Sequence, residues 1–129
     1  MSVGKVSCRF QPLYMQYAYA RIGSIFRKYD GELKGQIIID DEIEHRLALI
    51  ILKFEDTLLK ASKEATPHTI TSYLYDLVTI FMKFYEQNPI LKDDIEPDIK
   101  MSRLLLSKLT ANVIKKGLDI LGIEVVDKI

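Results

Sequence analysis

The sequence predicts an all-α fold, an antiparallel bundle of four to five helices. Two observations carry this prediction: apolar residues recur at spacings of three and four along most of the chain, and Pro, Gly, Asn and Asp separate those stretches. The chain has 129 residues, 48% of them hydrophobic and 28% charged, which is enough for one compact domain with a core. The β-prone run at 36–39 is too short to make a sheet, so we interpret it as an extended linker.

The first half of the chain contains two predicted helices. The first runs from Leu13 to about Tyr29, because apolar residues mark one face over this range and Asp30-Gly31 ends it. The second follows Asp40, which we interpret as its N-cap because acidic residues fill the turn after it, and it continues to about Lys63.

Two further helices are predicted in the second half. Thr66-Pro67 opens the third helix, with Thr as its cap and Pro at its first position, and Asn88-Pro89 ends it. Apolar residues on several sides predict that this helix is central and well buried. The last long helix opens at 97–98 and its pattern ends at Gly122, after which residues 123–129 are predicted to form a short extended tail.

Composition narrows the function classes. Cys8 is the only cysteine, which excludes an intrachain disulfide framework and a thiolate zinc site. No apolar run approaches the ~20 residues that a membrane span needs, so we predict no membrane partner. The N-terminus shows no long apolar stretch typical of a signal peptide, and the simplest predicted compartment is the cytoplasm.

Charge is balanced overall but uneven along the chain. The formal net charge is zero, which argues against a nonspecific nucleic-acid coat. Residues 1–29 nevertheless hold five basic residues and no acidic one. A local basic patch and an ordinary solvated helix face both fit this distribution, and composition alone favours the solvated face.

Motifs for catalysis are weak or missing. The glycines are scattered and form no phosphate-binding loop, and the two histidines, His45 and His68, have no spacing for a metal pair. Lys100-Met101-Ser102 matches a tripeptide that opens the mobile ATP-handling loop of one enzyme class. It falls in the first turns of a predicted helix, and no parallel sheet is predicted beside it, so we interpret it as ordinary helix. The sequence therefore predicts no catalytic residues, no metal and no cofactor.

A stripe of aromatic, basic and hydroxyl side chains lies along the first predicted helix. Its members follow one another at spacings of three and four: Tyr14, Tyr17, Arg21, Ser24 and Lys28. Unpaired RNA bases stack on Tyr and Arg while Arg and Lys bind phosphates, so the stripe has the parts of an RNA-binding surface. The alternative is that the tyrosines are partly buried core residues with their hydroxyls at the surface.

Three separated segments resemble one known family in the same order. Segment 13–28 contains Tyr-x-Gln-Tyr-Ala-x-x-Arg followed by Ser24, segment 66–91 contains Tyr-Leu-Tyr-Asp-Leu and Phe-Tyr-Glu, and segment 102–129 contains Arg-Leu and Gly-Leu-Asp. Together they resemble the anticodon-binding domain, called DALR, of arginyl-tRNA synthetases. The short motif behind that name is matched only loosely, at 97–100.

This resemblance implies an all-helical domain that binds the anticodon loop of an arginine tRNA without catalysing a reaction. It implies tRNA-binding roles for Tyr14 and Tyr17 in the first helix, Tyr85 in the third, and the chain terminus at Ile129. Arg21 and Arg103 match family arginines, and for each of them two partners are open, a phosphate or an internal carboxylate. Family members commonly end in Met, so Ile129 is a departure at the last contact.

The resemblance divides the chain at residue 12. Residues 1–12 match nothing in the family, and residues 13–129 form the predicted anticodon-binding domain. Two origins are open: a segment of a synthetase, whose partner is then its catalytic domain, or a free-standing copy that covers its exposed face by forming a homo-oligomer. The alternative function is a helical protein-interaction module that keeps the fold without specific tRNA binding.

Overall fold

The computed structural model describes residues 2–29, 31–64 and 67–122, and the side chains of residues 13–29, 31–63 and 68–122. Five helices follow one another along the chain: α1 Ser2–Lys28, α2 Glu42–Leu52, α3 Phe54–Glu64, α4 Pro67–Gln87 and α5 Pro97–Ile120. The described residues contain no β-strand. The prediction of an all-α bundle of four to five helices is confirmed.

Helix α4 forms the centre of the bundle. It packs against the other four helices. Its buried residues share one broad face, while the opposite side is exposed: Ile70, Tyr73, Leu74, Leu77, Val78, Phe81 and Phe84. It starts at Pro67 and ends one residue before Asn88, as the sequence predicted. The predicted cap Thr66 lies outside the described residues.

Helices α4 and α5 run antiparallel, whereas α1 and α4 run in the same direction. Tyr14 of α1 lies against Tyr75, and Arg21, two turns further on, lies against Tyr85, so residue numbers rise together along both helices. This parallel pairing joins helices that are distant in sequence. It brings the end of α1 beside the end of α4, which positions the site described below.

Helix α1 begins at Ser2, earlier than the predicted Leu13, because the apolar pattern starts only after the helix has begun.

The predicted cap of α2 is wrong by one residue. Asp41, not Asp40, is the N-cap, since only Asp41 has a Glu three residues later to complete a capping box. The Glu44 carboxylate accepts hydrogen bonds from the backbone N–H groups of Asp40 at 2.9 Å and Asp41 at 3.1 Å.

The single helix predicted to reach Lys63 is instead two helices that meet at Lys53. The backbone N–H of Lys53 is shared between the carbonyl oxygens of Leu49 and Ile50. The Ile50 carbonyl also accepts a hydrogen bond from the Tyr73 hydroxyl. A side chain that bonds to a helix carbonyl in this way bends the helix. The bend places Phe54 in the core, 5.6 Å from the ring of Tyr73.

The linker between α1 and α2 carries neither helix nor strand over 31–40, as predicted. The hydroxyl of Ser102, in the second turn of α5, accepts a hydrogen bond from the Ile38 N–H at 2.7 Å and donates one to the Ile38 carbonyl at 3.1 Å. Ser102 is therefore a buried anchor for the linker, and the tripeptide that contains it is helical.

Helix α5 approaches α4 closely at Gly117, which lies inside the helix. A Cβ atom at this position would come within 2.7 Å of the Leu74 side chain. Gly122, with a φ of +78°, follows the end of α5 in a conformation that favours glycine. The predicted tail over 123–129 lies outside the described residues.

Candidate nucleic-acid interface

Tyr17 and Arg21 lie one turn apart on the exposed side of α1. The guanidinium carbon of Arg21 is 5.0 Å from the centroid of the Tyr17 ring, and the guanidinium donates a hydrogen bond to the Tyr17 hydroxyl. Tyr17 keeps 40% of its surface exposed, so it is not buried in the core. Its ring is available to a ligand from solution.

Tyr85 joins this pair from α4. Its ring centroid lies 5.7 Å from the guanidinium carbon of Arg21, so one cation contacts two tyrosine rings from different helices. On α4 itself, the half-buried Tyr85 ring stacks on buried Phe81, with centroids 6.2 Å apart and planes 23° apart. We call Tyr17, Arg21 and Tyr85 the aromatic cluster.

The electrostatics of the cluster favour a permanently charged guanidinium. A hydrogen bond with the hydroxyl of Tyr17 raises the pKa of Arg21 above its usual value, and one with the hydroxyl of Tyr85 raises it by a smaller amount. A guanidinium is flat and weakly hydrated, so it can stack on a nucleobase and bind a phosphate with the same group. The cluster therefore offers two aromatic faces and a fixed positive charge at one point of the surface.

An open groove continues from the cluster past the end of α4. It has a volume of about 460 Å³, and we call it the loop groove; its lining residues are Ile25, Tyr85, Glu86, Pro89, Ile90, Leu91 and Lys92. Because Tyr85 belongs to both, the cluster and the groove form one continuous surface between α1 and the 88–92 loop.

Arg103 supports this loop from α5. Its Nη1 donates a hydrogen bond of 2.6 Å to the carbonyl oxygen of Pro89, and its buried Nε makes no hydrogen bond. The sequence left open a phosphate or an internal carboxylate as the partner of Arg103, and the observed partner within the chain is neither of these. That partner is a backbone carbonyl rather than a carboxylate.

The structure brings together three of the predicted site residues and leaves others apart. Tyr14 is half-buried and its ring packs on Tyr75, with centroids 5.7 Å apart, further back along α1. Ser24 is half-buried, and Lys28 is exposed at the last position of α1. Ile129 lies outside the described residues.

Glu86 and Lys92 were missed as candidates for the site. Both are exposed charged residues, one before and one after the Asn88-Pro89 stop that ends α4. Charged residues on each side of a helix stop are common, so spacing alone did not mark them. Knowing that the end of α1 lies beside this stop would have identified them.

The described part of the chain holds neither a cluster of metal-ligating side chains nor a membrane-spanning helix. No group of three or more His, Cys, Asp or Glu side chains there is arranged to hold a metal ion. No helix there is long and apolar enough to cross a membrane.

Comparison with solved structures finds the same fold in arginyl-tRNA synthetases. The Thermus thermophilus enzyme superposes with a TM-score of 0.80 at 34% identity, covering 90% of this chain and 21% of that one. The Plasmodium falciparum enzyme gives a TM-score of 0.79 at 32% identity, covering 91% and 21%. The similarity is thus confined to about a fifth of each synthetase.

Sequence comparison gives the same result. Arginine–tRNA ligases of Alteromonas mediterranea and Pectobacterium atrosepticum are 45% and 48% identical over 118 residues. These matches cover 89% of this chain, which spans about a fifth (20%) of the length of either relative. The family model of the DALR anticodon binding domain matches residues 15–129. The chain therefore belongs to the DALR anticodon-binding domain family, and it is homologous to a domain of arginine–tRNA ligases.

Proposed function

We propose that this chain binds the anticodon loop of an arginine tRNA and has no catalytic activity of its own. The single observation that carries the proposal is the aromatic cluster, in which Arg21 lies between two tyrosines of different helices. Membership of an anticodon-binding family supports the same conclusion.

The mechanism that we propose is stacking of unpaired bases on a prepared surface. An anticodon base leaves the loop and stacks on the exposed ring of Tyr17 or on the half-buried ring of Tyr85, and such stacking contributes about 1–3 kcal/mol per base. The Arg21 guanidinium extends the flat surface between the rings. Exposed Lys28, at the end of α1, supplies charge for the phosphate backbone.

The proposed role within a ligase is recognition. The matched relatives are about five times longer than this chain, and we propose that a catalytic domain of such a ligase is its partner and performs the aminoacylation. The proposed compartment is the cytoplasm, where tRNA is used in translation. Self-association remains a further proposal, since exposed Leu52 and Leu59 could be covered by a second copy.

Binding of anticodon stem-loop RNA tests the proposal. Fluorescence anisotropy compares a stem-loop with an arginine anticodon against the same stem carrying another anticodon, and we expect the arginine form to bind more tightly. Tyr17→Ala and Tyr85→Leu should each weaken binding by about 5- to 150-fold, the equivalent of one stacked base. Tyr85→Leu keeps an apolar side chain against Phe81.

Tyr19→Ala is the matched control, because Tyr19 is a half-buried tyrosine two residues from Tyr17 and projects from another side of α1. Urea unfolding of every variant separates lost stability from lost binding. Equal affinity for the arginine and non-arginine stem-loops would contradict the proposal and would favour a protein-interaction module.

A further inference from the structure

We infer that the exposed face shared by α2 and α3 is a docking surface for an amphipathic helix of a separate protein, one with an apolar seam and acidic residues beside it. The surface is a row of exposed side chains that we call the leucine row: His45, Leu49, Leu52, Asp56, Leu59 and Lys63. The inference goes beyond the proposed function, because it concerns a protein partner and a different pair of helices.

The leucine row has the spacing of a seam between two packed helices. Its members follow one another at alternating intervals of four and three residues, the repeat by which one helix packs along another. The bend at Lys53 does not interrupt the row, because the Lys53 N–H bonds to the Leu49 carbonyl at 3.2 Å and the Thr57 N–H bonds to the Lys53 carbonyl at 3.0 Å. From residue 45 to residue 63 the row spans about 27 Å, or ~5 helical turns.

Three leucines supply the apolar contact of the row. Leu52 and Leu59 keep 76% and 62% of their surface exposed, more than any other large apolar side chain in the described part of the chain, and Leu49 keeps 44%. A single exposed leucine is ordinary on a protein surface, whereas several along one seam form an apolar strip of the kind that marks a binding site. A docked helix would remove this strip from water, which favours binding.

The charges beside the row determine which helix fits. One edge carries three exposed basic side chains at seven-residue spacing, so all of them border the leucines on the same side: Arg46, Lys53 and Lys60. The other edge holds Ala48, Glu55 and Ser62 at the same spacing, and only one of these is charged. A basic edge next to an apolar seam attracts a helix that carries acidic residues beside its own seam.

A second copy of this chain fits the leucine row less well than such a helix. Two antiparallel rows would bring their basic edges together, with Lys53 facing the same residue of the other copy. Two parallel rows would place Asp56 against Asp56 at the seam, and like charges in contact oppose pairing. The broad face of a folded domain also fits poorly, since contacts between domains cover ~600–1,500 Å² and the row is one helix wide.

The leucine row lies away from the aromatic cluster. Tyr73 of α4 contacts Phe54 of α3, whereas Tyr75 contacts Tyr14 of α1. These two tyrosines are two residues apart and therefore point about 200° apart around α4. Helix α4 thus separates the bend between α2 and α3 from α1, so a helix docked on the row leaves the aromatic cluster open to RNA.

Binding of two designed peptides to the whole chain tests the inference. Each peptide is about three heptads long with leucine at both seam positions, and the positions beside the seam are all glutamate in one peptide and all lysine in the other. Like charges keep each peptide from pairing with itself. By isothermal titration calorimetry at low salt, the glutamate peptide should bind at least ~10-fold more tightly, and the preference should decrease as salt rises. Equal affinity for the two peptides, or binding of neither, would overturn the inference.

Leu52→Ser combined with Leu59→Ser tests the apolar contact. This double variant should bind the glutamate peptide at least ~10-fold more weakly, because it removes the two most exposed leucines of the row. Leu13→Ser is the matched control, since Leu13 is 59% exposed on α1, and it should bind the peptide like the wild type. The urea midpoint of each variant shows that it is folded. Wild-type peptide affinity in the double variant would overturn the inference.

Lys53→Glu combined with Lys60→Glu tests the basic edge. The preference should reverse, so that the lysine peptide binds more tightly than the glutamate peptide, because the leucines remain and only the edge changes sign. Lys115→Glu combined with Lys116→Glu, at two exposed lysines of α5, should keep the wild-type preference. A preference that survives the reversal of the edge would overturn the assignment of an acidic partner.

Two further measurements distinguish other occupants of the row. Size-exclusion chromatography should give the same oligomeric state for the wild type and the double leucine variant, and a dimer formed by the wild type alone would overturn the inference in favour of a second copy. Flotation with phosphatidylglycerol vesicles should find no binding that depends on Leu52 and Leu59. Leucine-dependent vesicle binding without peptide binding would overturn the inference in favour of a membrane surface.

The outcomes also separate this inference from the proposed function. The double leucine variant should bind the arginine stem-loop like the wild type, and Tyr17→Ala should bind the glutamate peptide like the wild type. Loss of peptide selectivity with intact RNA binding overturns the docking surface only, whereas absence of RNA binding with intact peptide selectivity overturns the proposed function only.

Discussion

Two regions of this domain use polar side chains in opposite ways. In the linker anchor, formed by Ile38, Asp41, Glu44 and Ser102, every described side-chain hydrogen bond ends on a backbone atom or comes from one. Glu44 and Ser102 are each only 1% exposed. In the aromatic cluster the side chains bond to one another instead, and Tyr17 keeps 40% of its surface open to solvent.

The two regions differ in whether their polar side chains remain accessible to a ligand. Both regions contain residues that a motif search selects, Lys100-Met101-Ser102 in one and Tyr17 with Arg21 in the other. The hydroxyl of Ser102 bonds to the linker and is buried, so a ligand in solution does not reach it. Substitutions in the linker anchor should therefore change the free energy of unfolding but not the affinity for RNA. Substitutions in the aromatic cluster should change the affinity for RNA but not the free energy of unfolding.

The largest effect on stability is expected for Glu44→Ala. This change removes a buried carboxylate that accepts two backbone N–H groups, and hydrogen bonds to charged groups contribute about 1.5–3 kcal/mol each. We expect the free energy of unfolding to fall by at least ~3 kcal/mol in urea titrations, with RNA affinity unchanged in the folded protein. Glu42→Ala, at an exposed acid of the same turn, should cost no more than ~1 kcal/mol. Equal losses in the two variants would contradict the role given to the capping box.

The largest effect on affinity, after removal of a tyrosine, is expected for Arg21→Lys. Lysine keeps the positive charge but loses the flat group that contacts both rings, which should weaken RNA binding by about 1–2 kcal/mol. The free energy of unfolding should stay within ~0.5 kcal/mol of the wild type, as at other surface positions. Arg46→Lys, at an exposed arginine of α2, should change neither quantity. A loss of stability as large as the loss of binding would show that the cluster is structural.

Ser102→Ala should cost about 1–2 kcal/mol of stability, because it leaves the Ile38 N–H and carbonyl without their partner. Ser62→Ala, at an exposed serine of α3, controls for the change in helix propensity. Thermal unfolding of both variants measures the difference. Anisotropy with the arginine stem-loop should give the wild-type affinity for each.

Arg103→Lys should produce a smaller loss that tests which role this arginine has. Lysine cannot reproduce the 2.6 Å bond to the Pro89 carbonyl in the same geometry, so we expect affinity to fall by about 0.5–1 kcal/mol as the groove wall loosens. The salt slope of a charge-conserving variant should stay the same. Arg103→Met separates the two roles further: a slope reduced by about one in this variant would indicate a direct phosphate contact instead.

Most of the fold could be predicted from the sequence because helix periodicity and helix stops are local signals. The start of α4 at Pro67 and its end before Asn88 are examples. The break at Lys53 could not be predicted, since it depends on Tyr73, twenty residues away, bonding to the Ile50 carbonyl. The cap of α2 was misplaced because four acids occur at 40–44 and only Asp41 has its partner at the correct distance.

The candidate site was predictable only in part, for a related reason. Tyr17 and Arg21 share one helix face, so spacing alone placed them together. Tyr85 entered through the family resemblance, and the loop groove depends on the parallel pairing of α1 with α4, which no local pattern encodes. Tyr14 shares the spacing of the stripe, yet it packs on Tyr75, because helix spacing does not say which neighbour a side chain meets.

The smallest effect is expected for Lys100→Ala, and it completes the comparison. If the tripeptide at 100–102 handled ATP, the lysine would be its most sensitive residue. In the structure Lys100 lies in the first turn of α5, where its backbone N–H bonds to the Glu96 carbonyl at 2.9 Å, so the segment is fixed as helix. We expect changes within ~0.5 kcal/mol in both unfolding free energy and RNA affinity. We also expect no ATP binding by isothermal titration calorimetry in either the variant or the wild type, and heat from ATP that disappears in Lys100→Ala would refute the structural role given to this segment.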